Sequence, residues 1–297
     1  MTHSYYSEYT DAPGWLGSVP RTWSHAPVWA VATCNDEVMA ESADPERVIK
    51  YVEISGVTAG QGITEVTDVA FGEAPSRARR KVRDGDVLVS TVRTYLRAIA
   101  PIKSPPENMI ASTGFAVLRA RDIKSEYLGY AMQAEYFISE VIARSVGVSY
   151  PAINATDLMK ISIPVPSPAE QAAIAAFLDR ETGKIDTLVE EQRRLIELLK
   201  EKRHAVVSHT VTKGLDPHAK MKPSGIEWLG EVPNHWQVIP LRALFHFVKR
   251  QNEDQLEVLS VYRDHGVIYK ASRDDNINKT PEDLSKYQTV NPGDFGS

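Results

Sequence analysis

Eight basic side chains fall within 27 residues: Arg77, Arg79, Arg80, Lys81, Arg83, Arg93, Arg97 and Lys103, opposed there only by Asp84 and Asp86. That window carries +6 in a chain of net −5, which leaves −11 for the rest. A concentration of cations suits a polyanion, because neutralising phosphates releases condensed counterions. Thr94 and Tyr95 lie between Arg93 and Arg97, directly after the strand-like run 86–92. Hydroxyl, aromatic and guanidinium groups at a strand end suit phosphate contact and the reading of base edges. A second polar segment, Gly147 to Tyr150 followed by Asn154, joins them as a candidate surface. Arg93, Thr94, Tyr95, Arg97, Ser149, Tyr150 and Asn154 are therefore the expected DNA-facing residues, with Arg77, Arg79, Arg80 and Lys81 as phosphate contacts. The basic run also reads as an ordinary solvated loop.

Residues for covalent or redox chemistry do not assemble. Gly60-Gln61-Gly62 lacks the third glycine and the preceding strand of a dinucleotide fingerprint, and no phosphate-binding P-loop is present. An amino-methyltransferase would need an Asn-Pro-Pro-aromatic motif, and Asn291-Pro292-Gly293-Asp294 is not one. No Cys or His pair stands at metal-ligand spacing; His204 and His209 read as solvated surface and Cys34 as a small core residue. No catalytic and no metal-ligating residue is expected.

The elements that would position a reading surface centre on residues 167–214. Ser167-Pro168-Ala169-Glu170 has a capping serine, proline at the first helical position and glutamate completing a capping box. Ile174, Leu178, Ile185, Leu188, Leu195, Leu199 and Val206 follow at alternating spacings of four and three, as heptad a and d positions do. Lys213-Gly214 supplies a basic last turn and a C-terminal glycine. About 45 residues at about 1.5 Å each predict a rod of about 65 Å. Glu181, Gln192 and Lys202 interrupt the seam, and Gly183 costs the helix interior about 1 kcal/mol against alanine. The stripe predicts a helical partner from elsewhere, since no second heptad run of that length is found in the chain. A long surface helix of a single domain is the plainer alternative.

Before the helix, 114–119 reads as a strand, 125–143 as helical, Asn154 to Asp157 as a capped turn, and 161–166 as an edge strand closed by prolines. The class expected is α+β. A repeat brackets the helix. The pattern W-L-G-x-V-P-x-x-W occurs at Trp15 to Trp23 and at Trp228 to Trp236, matching at six positions. Glu53-Ile54-Ser55 echoes Val258-Leu259-Ser260, and Asp84-Gly85-Asp86 echoes Pro292-Gly293-Asp294, at offsets of 213, 205 and 208 residues. Drifting offsets suit a duplicated domain with loops of different length. Three segments are thus expected: 1–166, the helix 167–213, and 214–297 as an incomplete second copy. With 297 residues, 42% hydrophobic and 25% charged, the chain is long enough for two domains. The opening Met1 to Tyr6 lacks the blocks of a signal peptide, no apolar run reaches a membrane span, and one cysteine suits a reducing cytoplasm.

Several of these motifs together resemble the specificity subunit of type I restriction–modification systems. They are Ser149-Tyr150-Pro151-Ala152-Ile153-Asn154, Pro166-Ser167-Pro168-Ala169-Glu170-Gln171, the run 195–203 with Val211-Thr212-Lys213-Gly214-Leu215, and W-L-G-x-V-P-x-x-W as a domain opening. The resemblance implies two target-recognition domains in pseudo-twofold arrangement, each reading half of a split double-stranded DNA site. Two antiparallel helices would space them and dock methyltransferase subunits, with restriction/translocase subunits joining through that complex. It further implies a non-catalytic chain, S-adenosylmethionine, ATP and Mg being ligands of partner subunits. This sequence departs from the full pattern in lacking the rest of the second domain and the second helix. Alternatives stay open: a half-subunit that homodimerises through 168–212 to read a symmetric interrupted palindrome, a self-contained modification enzyme, or an unrelated coiled-coil scaffold.

Overall fold

A computed structural model of the chain describes residues 6, 8–12, 16–250, 256–263, 266–272, 284 and 287–295. Met1 to Tyr5 and Trp15 lie outside the described residues. The chain divides into two compact units, 1–195 and 196–297.

In the first unit, strand Val87–Ser90 is central because both of its faces are buried. Side chains alternate along a strand, so Val87 and Val89 enter one core while Leu88 enters another. Its neighbour Phe115–Ala120 repeats the pattern: Ala116 and Leu118 face the first core, Phe115 and Val117 the second. With Ile99–Pro101 and Ala32–Cys34 these strands make an antiparallel four-stranded sheet. A second sheet is ordered Thr67–Ala70, Val48–Val52, Met109–Ser112, Ala78–Lys81, with only its middle pair parallel. Helices cover the outer face of the first sheet, the second sheet covers its other face, and a third cluster around Ile49, Phe71 and Ile110 lies beyond that. The α+β class follows from this mixture of mainly antiparallel sheet and segregated helix.

Residues 125–143 form two helices, not one: Ser125–Gln133 and Glu135–Ala143, broken where Ala134 turns extended at φ −69°, ψ 142°. The break lets Leu128 and Met132 of one helix and Phe137 and Val141 of the next all reach the same core. Asn154 caps Ala155–Met159, and the edge strand Ser162–Val165 pairs with Ser24–Pro27.

Pro168–Lys213 is one helix of 46 residues. Its capping box is formed: Glu170 N donates to Ser167 Oγ at 3.4 Å, and Ser167 N donates back to Glu170 Oε2 at 3.1 Å. The first turns dock on the first unit through buried Gln171 and Ala175 and through Ile174 against the core. Gln171 takes Lys124 N at 2.9 Å and donates to Pro166 O at 2.9 Å, so its burial leaves no amide group unpaired. Asp179 then accepts from Lys103 Nζ at 3.0 Å and Tyr130 Oη at 2.8 Å. From Gly183 to His209 every residue is exposed.

The second unit contains the hairpin Met221–Pro223/Glu231–Pro233 and the hairpin Leu259–Tyr262/Gly266–Tyr269. Two of the three sequence echoes recur as backbone structure. Asp86 N donates to Arg83 O at 3.2 Å and Asp294 N to Asn291 O at 3.0 Å, with Gly85 and Gly293 at φ +80° and +97°. In each turn the aspartate Oδ2 also takes the backbone N–H three residues back, at 2.7 and 2.8 Å. The middle echo does not recur: 54–56 is a 3-10 turn whereas 259–262 is a strand. A short Ile/Leu-Ser match carries too little local information to fix backbone geometry.

Candidate nucleic-acid interface

Strand Val87–Ser90 delivers the chain into a loop, 91–97, whose backbone is unusual. Arg93 and Arg97 both take the left-handed region, at φ +50° and +54°, on either side of the 3-10 turn Thr94–Leu96. Non-glycine residues pay for that conformation, and such strain concentrates where a loop has a task beyond packing. The second candidate segment packs against it. Val92 bridges to Ala152, Val146 bridges to Ala152, and Ile153 N donates to Thr91 O at 2.9 Å. The Oγ1 of buried Thr94 lies 2.8 Å from Ser145 Oγ across the two loops, and Ser145 Oγ donates a hydrogen bond to Val141 O at 2.7 Å.

The juxtaposition places the Arg93 guanidinium over the Tyr150 ring at 4.9 Å from its centroid. Arg93 has no acidic partner among the described residues, so its donors are available to a ligand. Around it stand exposed side chains: Tyr95 at 51%, Tyr150 at 66%, Val146 at 80% and Val148 fully exposed. Gly147, at φ +121°, makes the narrow tip that lifts Val148 out; a Cβ there would meet Tyr150 O at 3.0 Å. A cation stacked on an aromatic ring, beside apolar tips, can meet a phosphate or guanine edge and a thymine methyl on one rim.

The other sequence-derived candidates divide. Arg77 reaches this rim, since Thr113 N donates to Arg77 O at 2.8 Å and Gly114 O in turn takes Thr91 N at 2.8 Å. Its side chain is engaged by Glu53, with Nε donating to Tyr51 Oη at 3.3 Å. Arg97 is clamped by Glu135 through two bonds of 2.8 and 3.0 Å, and Asn154 is committed to its helix, accepting from Asp157 N at 2.8 Å. Ser149 is exposed on the tip. Arg79 stacks on Phe71 at 4.9 Å, and Arg80 Nε is buried without a hydrogen-bond partner. Lys81 and Arg83 stand at the opposite end of their strand from Arg77. There they line a cleft of about 580 Å³ with Arg47, Glu37 and Glu107, and Arg83 pairs with Glu37. The +6 of the sequence window is therefore not a single field: Arg77, Arg83, Arg97 and Lys103 each have a carboxylate partner. Those partners come from residues 37 to 179 and could not be seen in the window itself.

Val146, Val148 and Glu135 were not among the sequence candidates. The signal available for Val148 was an apolar residue beside glycine in a stretch without helical or strand period. Also unforeseen was Arg119, which binds buried Asp86 through two bonds of 2.8 Å and Glu37 through one of 2.9 Å. These bonds raise its already high pKa further, so it stays charged. Cys34 is half-buried, and burial pushes its thiol up to about 11, as suits a packing residue. Among the described residues no group of three or more His, Cys, Asp or Glu could hold a metal ion, and no helix is long and apolar enough to cross a membrane.

Residues 75–198 match the family model of the type I restriction modification DNA specificity domain. The MjaX specificity subunit of Methanocaldococcus jannaschii, described as a putative type I restriction enzyme subunit, is 29% identical over 170 residues, which are 55% of this chain and 38% of that protein. The type I restriction enzyme StySPI specificity subunit of Salmonella potsdam is 23% identical over 224 residues, 71% of this chain and 47% of that one. A solved structure, the HsdS subunit from Thermoanaerobacter tengcongensis, is 28% identical with a TM-score of 0.49, covering 69% of this chain and 53% of its own. The chain thus spans about half, or less, of the length of these relatives. The matched segment, 75–198, contains both strained arginines, the stacked Arg93–Tyr150 pair and the docked start of the long helix, and it is this segment that is similar to the type I restriction modification DNA specificity domain.

Proposed function

We propose that this chain is the DNA sequence-recognition component of a type I restriction–modification complex, reading one half of a bipartite site. The Arg93–Tyr150 rim supports the reading most directly. It is a cation without an acidic partner among the described residues, ringed by exposed apolar and aromatic tips, inside the segment that matches the specificity family. On this reading the rim of 91–97 and 146–150 enters a groove. The helix beyond Gly183 presents Ile185, Leu188, Leu195, Leu199 and Val206 to methyltransferase subunits. Restriction and translocase subunits would join through them, and S-adenosylmethionine, ATP and Mg would belong to those partners. The chain itself would make and break no bonds. A bipartite site demands two readers at a fixed separation, and a stiff helix holds distance where a flexible linker does not.

The chain reconstituted with methyltransferase subunits should methylate one recurring motif in random-sequence DNA. Arg93→Ala should lower preference for that motif by about 1–3 kcal/mol per lost bidentate contact and relax one base position. Lys81→Ala should leave the motif intact. Methylation without any preferred motif, or an Arg93→Ala complex with unchanged selectivity, would overturn the assignment of this rim. A half-subunit that pairs with a second copy through the helix is the second reading, favoured by the same exposed stripe; a strict monomer in sedimentation at high concentration excludes it.

A further inference from the structure

From Ser145 to Ile153 the chain carries no charged side chain. The segment forms a tab that is fixed at its base. Val146 N donates to Ala152 O at 2.8 Å, Ala152 N donates back to Val146 O at 3.0 Å, and Val92 bridges to Ala152 on the other side. The tip is fixed as well. Gly147 stands at φ +121°, where a Cβ would lie 3.0 Å from Tyr150 O, and Pro151 restricts Tyr150 before it to extended backbone. This turn lifts Val148 wholly into solvent, with Val146 beside it at 80% exposure. Solvated turns are ordinarily built from Asn, Asp, Ser, Gly and Pro, so a β-branched apolar crest calls for a ligand that matches it.

A phosphate does not match it, because the tab offers no cation of its own. On the edges of a DNA duplex the apolar group is the C5-methyl of thymine, which lies in the major groove. That groove is about 12 Å wide and admits a two-stranded ribbon, and the tab is a ribbon whose paired backbones stand about 5 Å apart. Arg93 lies alongside, its guanidinium 4.9 Å from the Tyr150 ring centroid. Val148 and Tyr150 are two residues apart, so their Cα atoms are separated by at most about 7 Å. Base pairs rise by about 3.4 Å each, which places the two reading points within about two base steps.

We propose that Val148 reads the C5-methyl group of a pyrimidine lying within about two base steps of the guanine met by Arg93. Recognition then responds to the methyl itself: uracil in place of thymine weakens it, and 5-methylcytosine takes the place of thymine. This deepens the recognition reading of the rim and rests on it.

The test uses the full chain reconstituted with methyltransferase subunits and three random-sequence DNA libraries, from which methylated molecules are captured and sequenced. The first contains thymine, the second uracil in its place, and the third thymine with 5-methylcytosine in place of cytosine. Thymine DNA should yield a motif with a thymine close to the guanine that depends on Arg93. In uracil DNA the preference at that position should fall about fourfold, as loss of one buried methyl predicts, while the guanine is kept. In the third library thymine and 5-methylcytosine should both occupy the position. Val148→Ala, an exposed change, should relax the same position in thymine DNA and add nothing further in uracil DNA. No motif in thymine DNA would overturn the recognition reading and this inference with it. A motif lacking that thymine, one unchanged in uracil DNA, one that rejects 5-methylcytosine, or a Val148→Ala effect equal in thymine and uracil DNA would overturn the methyl reader alone.

Discussion

Asp86 is 1% exposed and charged, a combination that a fold tolerates only when every lone pair is used. Arg119 supplies two bonds and the Arg83 N–H a third at 2.7 Å, while Glu37 bridges Arg119 and Arg83 at the edge. Removing one partner strands the other. Asp86→Ala should therefore destabilise the first unit by about 3–5 kcal/mol in urea unfolding, far more than loss of an exposed pair such as Arg97–Glu135, worth about 0–1 kcal/mol. Asn154 belongs to the same scale. Its amide caps Ala155–Met159, so Asn154→Ala should cost about 0.5–2 kcal/mol of thermal stability through the cap alone. Altered DNA selectivity in that variant at unchanged stability would give Asn154 a reading role instead. The Asp-Gly turn before Asp86 was legible from adjacent residues. Its partner, 33 positions later in a different strand, was not.

Among the elements, the long helix was the most legible, because a cap and an apolar period are written in contiguous residues. Ser167-Pro168-Ala169-Glu170 predicts its start and Lys213-Gly214 its end, and both are where the structure has them. Bonds from Ser167, Tyr6 and Trp23 hold the Glu170 carboxyl down to about 2 from its ordinary 4.5. A depressed carboxyl contributes stability that is complete above its unfolded value and fades as pH falls. The stability gap between wild type and Glu170→Gln should thus be full at pH 6, shrink below about 4.5 and be gone near 2. A gap that does not change with pH would show that the carboxylate charge is immaterial to the cap. Gly183 offers a gain: a Cβ there meets nothing within 4 Å, so Gly183→Ala should stabilise the helix by about 1 kcal/mol in thermal melts. The helix pair 125–143 shows the opposite case. An unbroken apolar period crossed Ala134, yet the chain breaks there so that two helices can share one core.

For the molecule as a whole, the stripe from Ile185 to Val206 is the feature that demands a partner. Leu195 and Leu199 are 47% and 54% exposed, and burying a leucine side chain is worth about 1.5–3 kcal/mol. Leu195→Lys with Leu199→Lys should abolish co-sedimentation with methyltransferase subunits, and any self-association through the helix, while circular dichroism stays helical. Retained assembly in that double variant would move the docking surface off the stripe. On the proposed reading the helix would serve assembly and the rim of 91–97 and 146–150 would serve recognition. A rim variant such as Arg93→Ala should leave assembly untouched.

The sequence by itself determined what neighbouring residues decide: the capped helix, the Asp-Gly turn, the repeated W-L-G-x-V-P-x-x-W motif and the strand-like run 86–92. Such features need only a few contiguous side chains and backbone bonds of short range. Only the tertiary structure decided which of the eight clustered cations have acidic partners. Charge adds along a sequence but cancels through space, and Glu37, Glu53, Glu135 and Asp179 arrive from distant segments to pair with Arg83, Arg77, Arg97 and Lys103. Arg93, exposed and held left-handed over Tyr150, owes its position to two loops that meet where Val92 bridges to Ala152, 60 residues later in the sequence.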